Sequence, residues 1–148
     1  MPEKYRKAVF VVTYAKTKEG IMFLVLKRKY HWHGWEFTKG GINPRESKKS
    51  AVAREVFEET GENAKEIKKF RVFGKYKYKK GLSDREGIVG QSFSLYGVEI
   101  KFGKIKIDSK EHSSYLWLPF EEAMKKLTFR NQKHCLKIVN KWLIKEEE

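Results

Sequence analysis

The stretch Gly40–Glu62, GGINPRESKKSAVAREVFEETGE, decides how this chain is read. Within it Glu55, Glu58 and Glu59 stand at i, i+3 and i+4, so on a helix they share one face. Adjacent carboxylates repel one another, and a solvated surface gains nothing from placing three of them together. A hard divalent cation resolves that repulsion, because Mg²⁺ takes carboxylate oxygens and keeps waters for chemistry. The plain alternative is a charged amphipathic helix stopped by Gly61. The spacing favours a segment built to hold metal.

The segment resembles the Nudix box, the signature of the Nudix hydrolases, written G-x5-E-x7-R-E-U-x-E-E-x-G-U with U aliphatic. Gly40, Glu46, Arg54, Glu55, Val56, Glu58, Glu59 and Gly61 match, whereas Glu62 stands at the final aliphatic position. The resemblance implies that Glu58 and Glu59 are metal ligands and that Glu55 is a ligand or the general base. It implies that the carbonyl of Lys39, just before the first glycine, joins the metal. Arg54 is expected to fix a neighbouring Glu by an ion pair, since a charged fork suits a carboxylate. Gly40, Gly41, Glu46 and Gly61 are expected to support the box. The implied cofactor is Mg²⁺, with Mn²⁺ as the substitute, because such ions lower the pKa of a water they hold and neutralise phosphate oxygens.

Composition sets the frame. The 148 residues suit one domain, 1–148, and are enough to bury a sizeable core. With 40% apolar and 35% charged residues the chain reads as globular, not disordered. No apolar run approaches the roughly 20 residues that span a bilayer, and the start MPEKYRKAVFVV lacks a small-residue cleavage site. The expectation is therefore a cytoplasmic protein with no membrane partner. Cys135 is the sole cysteine, which excludes an intrachain disulfide and fits a small buried residue. A net charge of +14 attracts polyanions, although Lys- and Glu-rich surfaces also occur in heat-adapted proteins.

Working outward, Lys7–Tyr14 and Ile21–Arg28 read as buried strands joined by a polar turn at Ala15–Gly20. Trp35–Phe37 is a short extended piece leading into a glycine-rich loop at Lys39–Arg45. The helix is expected over Ser47–Thr60, with Val52, Ala53, Val56 and Phe57 packing on a sheet behind an acidic front. Strands follow at Phe70–Tyr78, Ile88–Ile100 and Tyr115–Leu118, with a polar loop at Gly81–Gly87. Helical spacing returns at Phe120–Leu127 and Asn131–Ile144. This order is α/β or α+β. The resemblance sharpens it to an α/β/α sandwich with a mixed, partly curled β-sheet.

Beyond the box, Trp35–Pro44 (WEFTKGGINP) is similar to the W-x-F-P-x-G-G-I-N-P stretch of bacterial RNA pyrophosphohydrolases and plant-type diadenosine tetraphosphate hydrolases, with Thr38 in place of Pro. Tyr5-Arg6 and Arg28 match basic positions that those enzymes use near phosphate, and Gly90-Gln91 is similar to a Gly-Gln pair on the same strand, which makes Arg6, Arg28 and Gln91 candidates for binding substrate. Glu111-His112-Ser113-Ser114-Tyr115-Leu116-Trp117 resembles the E-H-x-x-Y-x-W of animal diadenosine tetraphosphate hydrolases, which implies that Glu111 adds a carboxylate to the metal cluster. Lys27, Arg28 and Lys39 are candidates for holding outer phosphates. Tyr76 and Tyr78 are candidates for base stacking, or plain members of a half-exposed strand. His31-Trp32-His33 lacks a third ligand nearby and reads as a poor metal pair.

The expected activity is metal-dependent cleavage of a phosphoanhydride bond in a nucleoside polyphosphate. Asymmetric hydrolysis of diadenosine tetraphosphate to ATP and AMP leads, followed by removal of pyrophosphate from RNA 5′-triphosphate ends. A non-catalytic nucleotide- or RNA-binding module is the reading from another class. Four clustered carboxylates argue against it, since a pure binder of polyanions does better without them.

Overall fold

The computed structural model describes residues 3–79 and 86–147. Its elements run β1 (Lys4–Thr17), β2 (Gly20–Arg28), β3 (Gly34–Glu36), β4 (Thr38–Gly41), α1 (Lys48–Thr60), β5 (Glu66–Lys77), β6 (Ile88–Glu99), β7 (His112–Leu118), α2 (Phe120–Lys126) and α3 (Arg130–Glu147). The strands form one mixed sheet in the order β3-β2-β1-β6-β5, with β4 on β1 and β7 on β2. Only β1 and β6 run parallel.

One side of β1 is shared between two partners. Its end pairs with β2 through Tyr14–Thr17. Its middle pairs with β4, Ala8 to Gly41 through Val11 to Thr38. The two partners diverge, so the sheet curls and opens a cleft beside β4. The segment expected to be a loop from Lys39 therefore begins as strand, because the backbone of Thr38–Gly41 continues the β1 ladder.

Alternation along the strands makes two cores. Phe10, Val12, Tyr14, Phe23 and Val25 meet Ala123 of α2 and Cys135, Leu136, Val139 and Leu143 of α3. Val9, Val11, Leu24 and Leu26 meet Ala51, Val52 and Val56 of α1 on the other face. The sheet thus lies between helices. Among the described residues, no helix is long and apolar enough to cross a membrane.

Helix α1 starts on Ser47, whose side chain accepts from the Ser50 N–H, and stops at Gly61 with φ 76°. Its orientation differs from the expected acidic front and apolar back. Ala53 is exposed and Phe57 is 54% exposed, whereas Ala51, Val52, Val56, Glu59 and Thr60 are buried. The helix packs on the stripe that carries Glu59, so its acids straddle the buried seam. The expected turn Ala15–Gly20 shrinks to Lys18-Glu19, because Ala15–Thr17 and Gly20 continue the β1–β2 ladder, and the other elements lie where the sequence places them with ends shifted by up to four residues. Residues 81–85 of the expected polar loop lie outside the described residues.

Candidate active site

The cleft beside β4 is lined by Arg6, Arg28, Trp32, Lys39, Gly40, Glu55, Glu58, Glu59, Gln91, Asp108 and Glu111. Its floor comes from the middle of the sheet and its acidic wall from α1. Gly40 and Gly41 are required by what lies against them. A Cβ on Gly40 would overlap the Glu55 carboxylate, and one on Gly41 would lie 2.5 Å from the Arg6 guanidinium. Two glycines in β4 therefore let an anion and a cation approach the backbone from either side.

Arg54 organises the acids. Its Nε and Nη2 donate to Glu46 at 2.8 and 2.9 Å, its Nη1 donates to Glu55 at 2.7 Å, and Nη2 also donates to the Gly41 carbonyl at 2.9 Å. The same Nη1 lies 3.4 Å from Glu58. This fork fixes the loop after β4 to the helix. Bonds from Arg54 and from the Asn43 N–H hold the Glu46 carboxyl down at about 2.

Glu59 is the deepest acid. It is 1% exposed, and no basic side chain or backbone N–H donates to either carboxylate oxygen, its side-chain partner being the neighbouring acid Glu55. Its burial, and then the charges of Glu55, Glu36 and Glu111, push its carboxyl well above the usual range. Glu55 is also raised by burial, with Arg54 opposing. Ligand atoms of Glu59, Glu111 and His112 lie within 4.8 Å of one another. A buried carboxylate without a donor, beside a second carboxylate, is the donor set a hard cation needs. The residues fit a divalent metal.

Behind this cluster sits Glu36, at the end of β3 and wholly buried. It accepts from Arg28 at 3.1 Å, from Trp32 Nε1 at 3.2 Å and meets His112 Nε2 at 2.9 Å, with Lys39 Nζ at 3.5 Å. Burial alone would raise its pKa, but Lys39, His112 and Arg28 hold it at about 2. Lys39, in turn, is lowered by burial, and Glu36 opposes this. Its ammonium also lies 4.2 Å from the Trp32 ring centre. A register shift between β2 and β7 sets Lys27 against Ser114 but Arg28 against His112. That bulge leaves Ser113 and Ser114 both exposed and turns His112 inward.

Of the residues singled out in the sequence, Arg6, Arg28, Lys39, Gly40, Glu55, Glu58, Glu59, Gln91 and Glu111 line one cleft. Glu58 is half exposed at its rim, and Glu111 accepts from Arg28 at 3.3 Å. Lys27 is exposed, alternating with buried Arg28, and does not line the cleft. Tyr76 donates to Gln91 at 3.0 Å, and Tyr78 lies 6.5 Å from Trp32, so both stand behind lining residues. Sequence reasoning missed Trp32, Glu36, Asp108 and His112. A lone acid between aromatics in Trp35-Glu36-Phe37 was a signal for Glu36. Asp108 offered none.

Comparison with known proteins agrees with this geometry. The NUDIX domain family model matches residues 4–137. RNA pyrophosphohydrolases of Proteus mirabilis and Yersinia enterocolitica are 51% and 49% identical over 41 residues, 28% of this chain and 23% of each relative. The match thus spans about a quarter of those curated relatives. Similar solved structures include a NUDIX hydrolase of Listeria monocytogenes, at TM-score 0.78 and 20% identity, covering 94% of both chains. The C. elegans Ap4A hydrolase superposes at TM-score 0.74 with 23% identity, covering 94% of this chain and 98% of that one. At such identities the likeness speaks for the fold.

Proposed function

The chain belongs to the NUDIX domain family, and on that premise we propose that it is a Mg²⁺-dependent pyrophosphohydrolase of nucleoside polyphosphates, converting diadenosine tetraphosphate to ATP and AMP. The observation that carries this reading is Glu59, a buried acid with no basic or backbone donor on either oxygen, beside Glu55 in a cleft lined by Arg6, Arg28 and Lys39.

Glu58, Glu59, Glu111 and the Lys39 carbonyl would hold the cation, with Glu55 as the base beside it. When bound, it neutralises phosphate oxygens and makes water a usable nucleophile near neutral pH. The chain supplies the rest. Arg6, Arg28 and Lys39 take the non-bridging oxygens of the phosphate chain, with Gln91 beside them. Arg54 occupies one oxygen of Glu55, leaving the other to accept the proton of the attacking water. Burial raises the proton affinity of Glu55 above that of an ordinary carboxylate, which favours proton acceptance. Trp32, with Tyr78 beyond it, offers a stacking face for an adenine at the cleft mouth.

A second reading, pyrophosphate removal from RNA 5′-triphosphate ends, is favoured by the 41-residue identity to RNA pyrophosphohydrolases and by the net charge of +14. Both substrates present a phosphate chain ended by a nucleoside. The deciding experiment measures kcat/KM on diadenosine tetraphosphate and on a short triphosphorylated RNA with Mg²⁺. Equimolar ATP and AMP with the higher kcat/KM supports the first reading. Two ADP per molecule, or a higher value on RNA, rejects it. No turnover of either leaves a binding module.

A further inference from the structure

Glu36 is a fully buried acid that the proposed reaction does not use, and it stands among the bases nearest the acidic cluster. Arg28, Lys39 and His112 reach it at 3.1, 3.5 and 2.9 Å, while Trp32 closes its remaining side at 3.2 Å. The same bases border the acids that would bind metal. His112 Nε2 lies 3.8 Å from Glu59 Oε1, and Arg28 Nη1 lies 3.3 Å from Glu111 Oε2. Yet none of these bases donates a hydrogen bond to Glu59.

We propose that Glu36 is a positioning residue for the cation site, holding Arg28, Lys39 and His112 on itself so that both Glu59 oxygens stay open to a divalent ion. This rests on the reading that the acidic cluster binds such an ion. The physical reason is competition. A buried basic group takes the nearest buried anion, because leaving either charge alone is costly. Remove the Glu36 charge, and the nearest anions left to these three groups are Glu59 and Glu111. They would then occupy the oxygens that the cation needs. Placement in the chain supports the division of labour. Glu36 stands opposite Leu26 and Arg28 two residues further along β2, while the bulge between β2 and β7 sets His112 opposite Arg28. Side chains from three strands thus converge on one carboxylate that does not line the cleft. A purely structural Glu36, neutralising buried bases, would affect stability but not the metal affinity of the folded protein.

The test is Mn²⁺ binding to substrate-free protein, followed by the electron paramagnetic resonance signal of the free ion. Glu36→Gln keeps shape and removes charge, and its Kd is expected to rise roughly tenfold or more, the scale of losing a group that orients ligands. A folded Glu36→Gln protein with the wild-type Kd overturns the proposal. Should that variant not fold, Glu36→Gln/Lys39→Met, which removes opposite charges, is compared with Lys39→Met alone. Arg28 and His112 are still released in the pair, so it is expected to bind Mn²⁺ about fivefold or more weakly. Equal affinities overturn the proposal. Absence of Mn²⁺ binding by the wild type removes the cation reading itself, whereas wild-type binding that Glu36→Gln leaves unchanged removes this inference alone.

Discussion

His112 Nε2 lies 2.9 Å from Glu36 Oε2, and neither side chain reaches solvent. The pair joins the first residue of β7 to the last of β3, strands that each pair with β2. It closes the floor behind the acidic wall of α1. His112→Ala removes the donor and leaves a buried carboxylate with one partner fewer. We expect a stability loss of about 1–3 kcal/mol in thermal or urea unfolding. An unchanged midpoint would show that the contact carries no weight.

Gly40 is the position where a single methyl group should separate catalysis from folding. Its Cβ would meet the Glu55 carboxylate, so Gly40→Ala displaces the base and not the core. The kcat should fall by about 100-fold, the scale of misplacing a catalytic group, with Mn²⁺ affinity changed less. Circular dichroism should stay native. Gly41→Ala presses on Arg6 instead, so it should raise KM with a smaller effect on kcat.

Arg54 makes four hydrogen bonds of 2.9 Å or shorter from one guanidinium, and lysine cannot reproduce them. Arg54→Lys should lower kcat by at least about tenfold through loss of Glu55 orientation. Being a quarter exposed, Arg54 should cost only about 1 kcal/mol in stability when replaced. A larger loss in unfolding than in turnover would make Arg54 structural only.

The pH dependence has a definite sign. Glu46 is held at about 2 by Arg54 and the Asn43 N–H, below its ordinary value of 4.5. A lowered folded-state pKa adds stability above pH 4.5, and that stability is lost as pH falls through about 2. Glu36, also at about 2, acts in the same direction. The unfolding midpoint should therefore decline between pH 4.5 and 2, and Glu46→Gln should flatten that limb. A limb unaltered by Glu46→Gln would contradict the pairing.

Thr38 stands where similar enzymes carry proline, and its buried hydroxyl has no partner. Replacing it with the isosteric valine removes an unsatisfied polar group. Thr38→Val should stabilise the protein by about 1 kcal/mol. A lower melting temperature would mean that the hydroxyl has a function in the fold.

The box and the helix that bears it were readable because their signals are local. Ser47 and Gly61 bound α1, and Glu55, Glu58 and Glu59 fall at helical spacing. Which side of that helix packs was not readable, since Val52, Val56 and Phe57 are equally apolar and only the curled sheet selects among them. The hidden part of the site is long-range. Glu36, Arg28 and His112 lie 8 and 76 or more residues apart in pairing, joined by a bulge that no motif encodes. The strand at Thr38–Gly41 was concealed for a related reason. Its glycines suggest a loop, whereas they are there to admit Glu55 and Arg6.

The most direct measurement is hydrolysis of diadenosine tetraphosphate across a Mg²⁺ titration, for the wild type and for Glu59→Gln. The expected result is Mg²⁺-dependent ATP and AMP from the wild type, with kcat lower by about 1,000-fold or more in a natively folded variant. Equal rates for the two proteins, or wild-type turnover that persists in a chelator, would contradict the account.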